Sequence, residues 1–189
     1  MSEPYLELPV GELLDAVAKR GGPGAGAIAG LQAAAAAALV ELAARATDTG
    51  VWPDSAGAAA QARKLRDRLI PLARRDAEAY EAAIAQLRDR GDDFALGEAL
   101  ARAADVPLEI ADHAENVAAL AADAAARAHP EVRADAAAAA ALALGAAWAA
   151  AKLVEINLAM QEDDPRLARA RLIAAGATKT AREALTVDE

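Results

Sequence analysis

Long runs of alanine, broken by isolated leucine, isoleucine and valine, most constrain what this chain can become. Ala33–Ala38 and Ala136–Ala141 are uninterrupted, and no comparable run of valine, isoleucine, threonine and aromatics occurs. Alanine is the best helix former, whereas strands draw on β-branched and aromatic residues. Aromatics make up only 3% of the chain although hydrophobic residues reach 56%. An all-α fold, a multi-helical bundle of long Ala-rich helices, is therefore expected. Sandwiches, barrels and doubly wound sheets are excluded. The 189 residues suffice for one sizeable domain and show no composition shift that would divide them, so a single helical domain over 1–189 is expected.

Glycine and proline place the breaks. Leu13, Leu14 and Val17 recur at helical spacing, so a short helix is predicted over Pro9–Lys19. The Arg20–Gly26 segment ends it, and a long helix follows over Ala27–Ala46. A third, capped by Asp54 or Ser55, runs toward Arg90 with Pro71 inside it, where a kink is expected. Further helices are predicted over Phe94–Ala104, Pro107–Ala128 and Glu131–Gln161. Asp164-Pro165 starts one that ends near Gly176, with a short last helix over Lys179–Leu185. Alanine buries little area, about one methyl each. So thin a core favours a homodimer in which long helices share one interface.

Composition also narrows the partners. Zero cysteines exclude disulfides, thiolate metal sites and thiol nucleophiles. With 29 acids against 20 bases the net charge is -9, so nucleic acid is not an expected partner. Glu3, Pro4 and Glu7 oppose a signal peptide in the first ten residues, and a cytoplasmic location is expected. Two stretches mimic membrane spans. Gln32 interrupts Ala27–Val40, and Ala136–Ala151 falls short of the roughly 18–20 residues required. Both are expected to be buried helices, with a membrane-associated bundle as the minor reading.

Few residues could carry chemistry. The loop holding Gly22, Pro23, Gly24 and Gly26 stands before a helix N-terminus. Its free N–H groups and the helix dipole can cradle an anion or polar ring; a plain interhelix turn explains it equally well. Asp76 and Tyr80 lie one turn apart and can bind or protonate a ligand nitrogen, unless the acid is solvated and the phenol merely packs. Asp135 opens the longest apolar helix. It either compensates the dipole there or, half-desolvated among alanines, serves as a general acid or base. Glu109, Asp112 and His113 share a face but lack the Glu-x-x-His pairs of di-metal bundles, so no metal is expected. Arg63, Lys64, Arg66 and Arg68 form the one basic run, a solvated face or a patch for an acidic ligand tail.

Five landmarks in order resemble the cyclodeaminase/cyclohydrolase family. They are Pro23-Gly24-Ala25-Gly26-Ala27, Asp76-Ala77-Glu78-Ala79-Tyr80, Val106-Pro107-Leu108, His129-Pro130 followed by Ala134-Asp135, and Leu153-Val154-Glu155-Ile156-Asn157-Leu158. The resemblance spans Leu8 to Asn157. It implies a homodimer and a folate site in a cleft between helices, with a tetrahydrofolate derivative as substrate and no covalently bound cofactor. It further implies Asp135 as the proton-transfer group and Asp76 as the orienting or cation-stabilising carboxylate. Gly22, Pro23, Gly24, Gly26, Tyr80, His129 and Asn157 would be the ligand-binding residues. The departures fall in the motifs themselves. Ala27 and Ala134 stand where the family has serine, and His129 where it has asparagine. Leu153 and Glu155 stand where it has asparagine and arginine. Two functions are compatible with this pattern. One is a folate enzyme acting on a C–N bond. The other is a divergent relative with a less polar ligand, or a scaffold without one.

Overall fold

The structure, a computed structural model, describes residues 5–19, 22–88 and 93–186. Among them there are seven α-helices and no strand: α1 Val10–Val17, α2 Ala25–Arg45, α3 Ser55–Arg88, α4 Asp93–Ala103, α5 Asp105–Arg127, α6 Arg133–Asn157 and α7 Pro165–Leu185. One-turn 3-10 segments precede α1 and α6. The all-α expectation holds.

Most predicted boundaries agree within three residues. Asp164 caps α7, its carboxylate accepting from the Arg166 backbone N–H at 2.9 Å with Pro165 in the first turn. The expected break at Gly176 is wrong, because α7 runs through it to Leu185 as one helix. The glycine serves packing instead: a methyl there would overlap the Glu115 carboxylate of α5. As expected from the sequence, α3 runs through Pro71 as one helix. Pro107 lies inside the first turn of α5 rather than opening it.

The core is alanine against alanine. Ala33, Ala36, Ala37, Ala118, Ala121, Ala139, Ala143 and Ala147 are fully buried in one continuous cluster. Small side chains let the backbones of α2, α5 and α6 come close, so many contacts replace a few large ones. Larger residues such as Trp52, Leu69, Leu72 and Ile110 fill the wider gaps. α2 packs on α3, α5 and α6, while α6 packs on α2, α5 and α7. Gln32 of α2 donates to the Leu142 carbonyl of α6 at 2.8 Å. Since Gly26 shares a pocket with Ile156 and Asn157, the two helices run antiparallel.

The two apolar stretches are longer as helices than as uncharged sequence. Ala25–Arg45 has 21 residues and Pro130–Asn157 has 28, so both reach the length and hydropathy of a membrane span. Within the bundle, 61% and 44% of their most apolar windows are buried.

Candidate functional site

The N-terminus of α2 abuts α3 near Asp76. Any side chain at position 26 would collide with the Asp76 carboxyl group. Close approach thus favours glycine at Gly26, where a side chain would displace the Asp76 carboxyl group. At Gly30, one turn on, an added methyl would sit 3.2 Å from Ala73, so the tight α2–α3 crossing continues. The carboxylate accepts a hydrogen bond from the Ala27 backbone N–H, which favours its charged form. Burial opposes this more strongly and pushes the Asp76 pKa up to about 6. A carboxyl group poised there can both hold and release a proton near neutrality.

Asp76 faces a cavity of about 310 Å³ lined by Gly24, Ala25, Gly26, Ala103, Leu153, Ile156 and Asn157. Three helix segments build most of it: the start of α2, the middle of α3 and the last turn of α6. Leu153, Ile156 and Asn157 are presented together because residues three and four apart share a helix face. Asp76 and Asn157 supply the polar side chains, and the rest of the lining is apolar or backbone. Exposed N–H groups at the α2 N-terminus add partial positive charge.

A second cavity, about 270 Å³, lies on the other side of the α2–α3 crossing. Tyr5, Leu6 and Leu13 from the N-terminal segment close it over Pro23, Ala27, Leu31, Ala73 and Ala77, with Arg74, Glu7 and Glu78 also lining it.

The candidate residues therefore divide. Gly24, Gly26, Asp76 and Asn157 come together in one pocket. Pro23 faces the second cavity. Gly22 forms a turn, its N–H donating to the Lys19 carbonyl at 3.1 Å, and packs tightly on the end of α1. Tyr80 follows Asp76 by one turn on α3, but its side chain lies outside the described residues. His129 and Asp135 sit at the opposite end of the bundle. The His129 backbone N–H donates to Thr47 beyond the C-terminus of α2 at 3.0 Å, and its ring lies 3.8 Å from Glu131. Asp135, half-buried in the first turn of α6, is 22 residues before Asn157, about 33 Å along the helix axis. Within one chain, then, Asp135 and Asp76 are not brought together.

The basic run is partly spoken for. Arg66 binds the buried Glu41 at 2.7 Å, while Arg63, Lys64 and Arg68 are exposed. Glu109 and Asp112 have other partners, Arg75 reaching Glu109 at 3.4 Å and Arg169 bonding Asp112, while the His113 ring lies 3.9 Å from Glu109. Burial lowers the pKa of His113 despite the neighbouring Glu109. Sequence reasoning missed Ala103, Leu153 and Ile156 as lining. The helical spacing of 153, 156 and 157 could have revealed two of them; nothing about Ala103 distinguishes it from its many neighbours.

Residues 9–172 match the family model described as formiminotransferase-cyclodeaminase. The chain belongs to this family. Among solved structures, it is similar to formiminotetrahydrofolate cyclodeaminase from Thermotoga maritima. The TM-score is 0.83 at 24% identity, covering 95% of this chain and 96% of that one. The likeness establishes a shared fold. No curated protein matches. Of the family landmarks, the glycine loop, the Asp76 segment and the 153–158 segment converge on the 310 Å³ pocket, while His129-Pro130 and Ala134-Asp135 lie at the far end.

Proposed function

We propose that this protein is a folate one-carbon enzyme that acts on a C–N bond, of the methenyltetrahydrofolate cyclohydrolase or formimidoyltetrahydrofolate cyclodeaminase type. The observation that carries the reading is Asp76, desolvated against the α2 N-terminus and facing a pocket shared with Asn157. Ring opening of a methenyl group by water needs a proton taken from the attacking water and one given to the departing nitrogen. Ring closure of a formimidoyl group needs a proton delivered to leaving ammonia. A carboxyl group with a pKa of about 6 serves either demand. In its charged form it stabilises a cationic one-carbon centre inside a partly dry pocket. The loop at Gly24–Gly26 presents backbone N–H groups to the ring system, and Asn157 offers both a donor and an acceptor to its edge.

Asp76→Asn keeps the size and removes the titrating group. It is expected to lower turnover of the methenyl substrate at least about 100-fold, in line with the loss of a general acid or base. Turnover within about threefold of the unaltered protein would refute this role.

A second reading rests on the lining itself. Leu153 and Ala27 stand where the family carries polar residues, and Leu153 faces the pocket. A lost hydrogen bond costs about 1 kcal/mol, more where the partner stays buried. A smaller or less polar ligand is the alternative. Isothermal titration with tetrahydrofolate derivatives separates the two: micromolar affinity supports the folate reading, and absence of heat at millimolar ligand supports the alternative.

A further inference from the structure

Arg166 occupies the first turn of α7, directly after the Asp164 cap and Pro165. The helix dipole disfavours a cation there, and the free backbone N–H groups offer it no acceptor. Asp164 offsets this by taking the guanidinium as a fork, Nε donating to Oδ1 at 3.0 Å and Nη2 to Oδ2 at 2.7 Å. The fork leaves Nη1 aimed away from α7. It donates to the Asp105 carboxylate at 2.6 Å and to the Ala101 carbonyl at 2.7 Å. The Ala101 carbonyl belongs to the last turn of α4, where carbonyls lack helical N–H partners. Its bond from the Ala104 N–H is long, at 3.3 Å. Asp105 opens α5. One side chain, 24% exposed, thus joins the start of α7 to the end of α4 and the start of α5.

The joined residues bracket a pocket wall. Ala103, between Ala101 and Asp105, lines the pocket that Asp76 faces, although Arg166 does not line it. Apolar burial holds this junction weakly. From Gly97 to Ala103 the buried side chains are Ala99, Ala101 and Ala103, each contributing about one methyl. Such contacts are also non-directional, so they resist sliding less than a guanidinium with fixed donor directions does. The other end of the clamp leads back to the same pocket. Asn157 ends α6, and a short turn runs from it to Asp164. That turn is pinned by buried Leu158, whose carbonyl accepts from the Gln161 N–H at 2.8 Å, and by the Asp164 N–H on the Gln161 carbonyl at 3.0 Å. Arg166 therefore ties the α4–α5 wall to the segment that follows the α6 wall.

We propose that Arg166 is a positioning residue for the Asp76–Asn157 pocket: it locks the α4–α5 junction to the start of α7, holds Ala103 in the pocket wall and thereby keeps water from Asp76. The lock stands on geometry; its consequence for catalysis rests on the function proposed above.

Asp76 reports on the lock, and the sign of its response separates two effects. Removing a cation, with Asp105 and Asp164 left unneutralised, raises the pKa of a carboxyl group by electrostatics alone. Opening the wall admits water and lowers it. Arg166→Ala should lower the Asp76 pKa by at least about 0.5 in a carboxyl carbon NMR titration, with the helical circular dichroism retained. Arg169→Ala removes an equal charge from the same helix, where Arg169 pairs with Asp112 of α5, and should leave Asp76 unchanged. Arg166→Lys keeps the charge but loses the fork, so it should give a smaller fall in the same direction. It decides the test if Arg166→Ala fails to fold. An unchanged or raised Asp76 pKa in a folded Arg166 variant, or an equal fall in Arg169→Ala, overturns the proposal. Where the unaltered protein turns over the methenyl substrate, the limb of its pH–kcat/KM profile due to Asp76 should move to lower pH in Arg166→Ala by the amount the titration shows. An unmoved limb overturns the proposal. Lack of turnover by the unaltered protein counts against the proposed function only, since the titration needs no substrate.

Discussion

α2 and α6 are near twins by composition and differ in what covers them. Each reaches a mean hydropathy of 1.7 over its most apolar 18 residues, yet 61% of that window is buried in α2 and 44% in α6. α2 is enclosed by α3, α5 and α6. α6 has neighbours along its inner side, while Leu142, Trp148 and Ile156 face outward. Hydropathy reports how much apolar surface a helix has; topology decides which part of it the chain itself can cover. An alanine-rich helix with an uncovered face suits association, because small side chains let a second helix approach closely.

The comparison breaks most severely under a buried charge. Ala37 of α2 is completely buried, and Ala141 of α6 is exposed. Ala37→Asp is expected to cost at least about 4 kcal/mol, because a carboxylate among alanines finds no partner. That is most of the stability of an ordinary domain. Ala141→Asp costs the chain only its lower helix propensity, about 0.7 kcal/mol at most. Thermal melts by circular dichroism should show the first unfolded or barely folded and the second fully helical. Equal loss in both would mean that α6 is as enclosed as α2.

The N-terminus of α2 adds a smaller, pH-dependent effect. The Asp76 pKa is about 6 in the folded protein against 3.8 as the ordinary value. Between those values the folded state binds more protons than the unfolded chain, so stability falls as pH rises through the window. Below the lower value the group contributes nothing; above about 6 the full penalty applies. A tenfold difference in proton affinity between the folded and unfolded states is worth about 1.4 kcal/mol, and partial solvent access reduces the total, leaving a penalty of about 1–3 kcal/mol at pH 7. Asp76→Asn lacks this slope. Urea unfolding at pH 4 and pH 7 should show the variant gaining on the unaltered protein by that amount as pH rises. A constant difference would mean that Asp76 is solvated.

Much of this was legible in the sequence, and the failures have one cause. Helix positions followed from Asp164-Pro165, the 20–26 loop and helical periodicity, all of which act locally. The convergence of Gly26, Asp76 and Asn157 was legible through their motifs. Gly176 was misjudged because its role is set by Glu115, sixty-one residues away in sequence, which occupies the space of the missing side chain. Asp135 illustrates the same limit. Its motif linked it to Asp76, but a helix rises about 1.5 Å per residue, which separates the two within one chain. Ala103 and Leu153 form pocket walls only because α4 and α6 meet there; neither residue type signals a site.

The finest discrimination comes from one methyl group placed on each helix. Gly26 and Gly145 both lie within helices, and alanine is intrinsically better there by up to about 1 kcal/mol. At Gly145 an added methyl meets the Gln32 amide nitrogen at 2.8 Å, the free end of a flexible side chain. Gln32 can swing away at the cost of its surface hydrogen bond to Leu142, which offsets part of the gain. Gly145→Ala should therefore raise the stability of the isolated chain by under about 1 kcal/mol in a urea melt. At Gly26 the methyl overlaps the Asp76 carboxyl group itself, in the crossing continued by Gly30 against Ala73. Asp76 must turn outward and recover its hydration, so Gly26→Ala should return its pKa toward 3.8 while the helices stay packed. Carboxyl carbon NMR reads that titration directly. A pKa that stays near 6 in Gly26→Ala would show that the close approach of α2 does not desolvate Asp76, and the contrast between an end shaped for chemistry and a midpoint open for packing would fail at its smallest scale.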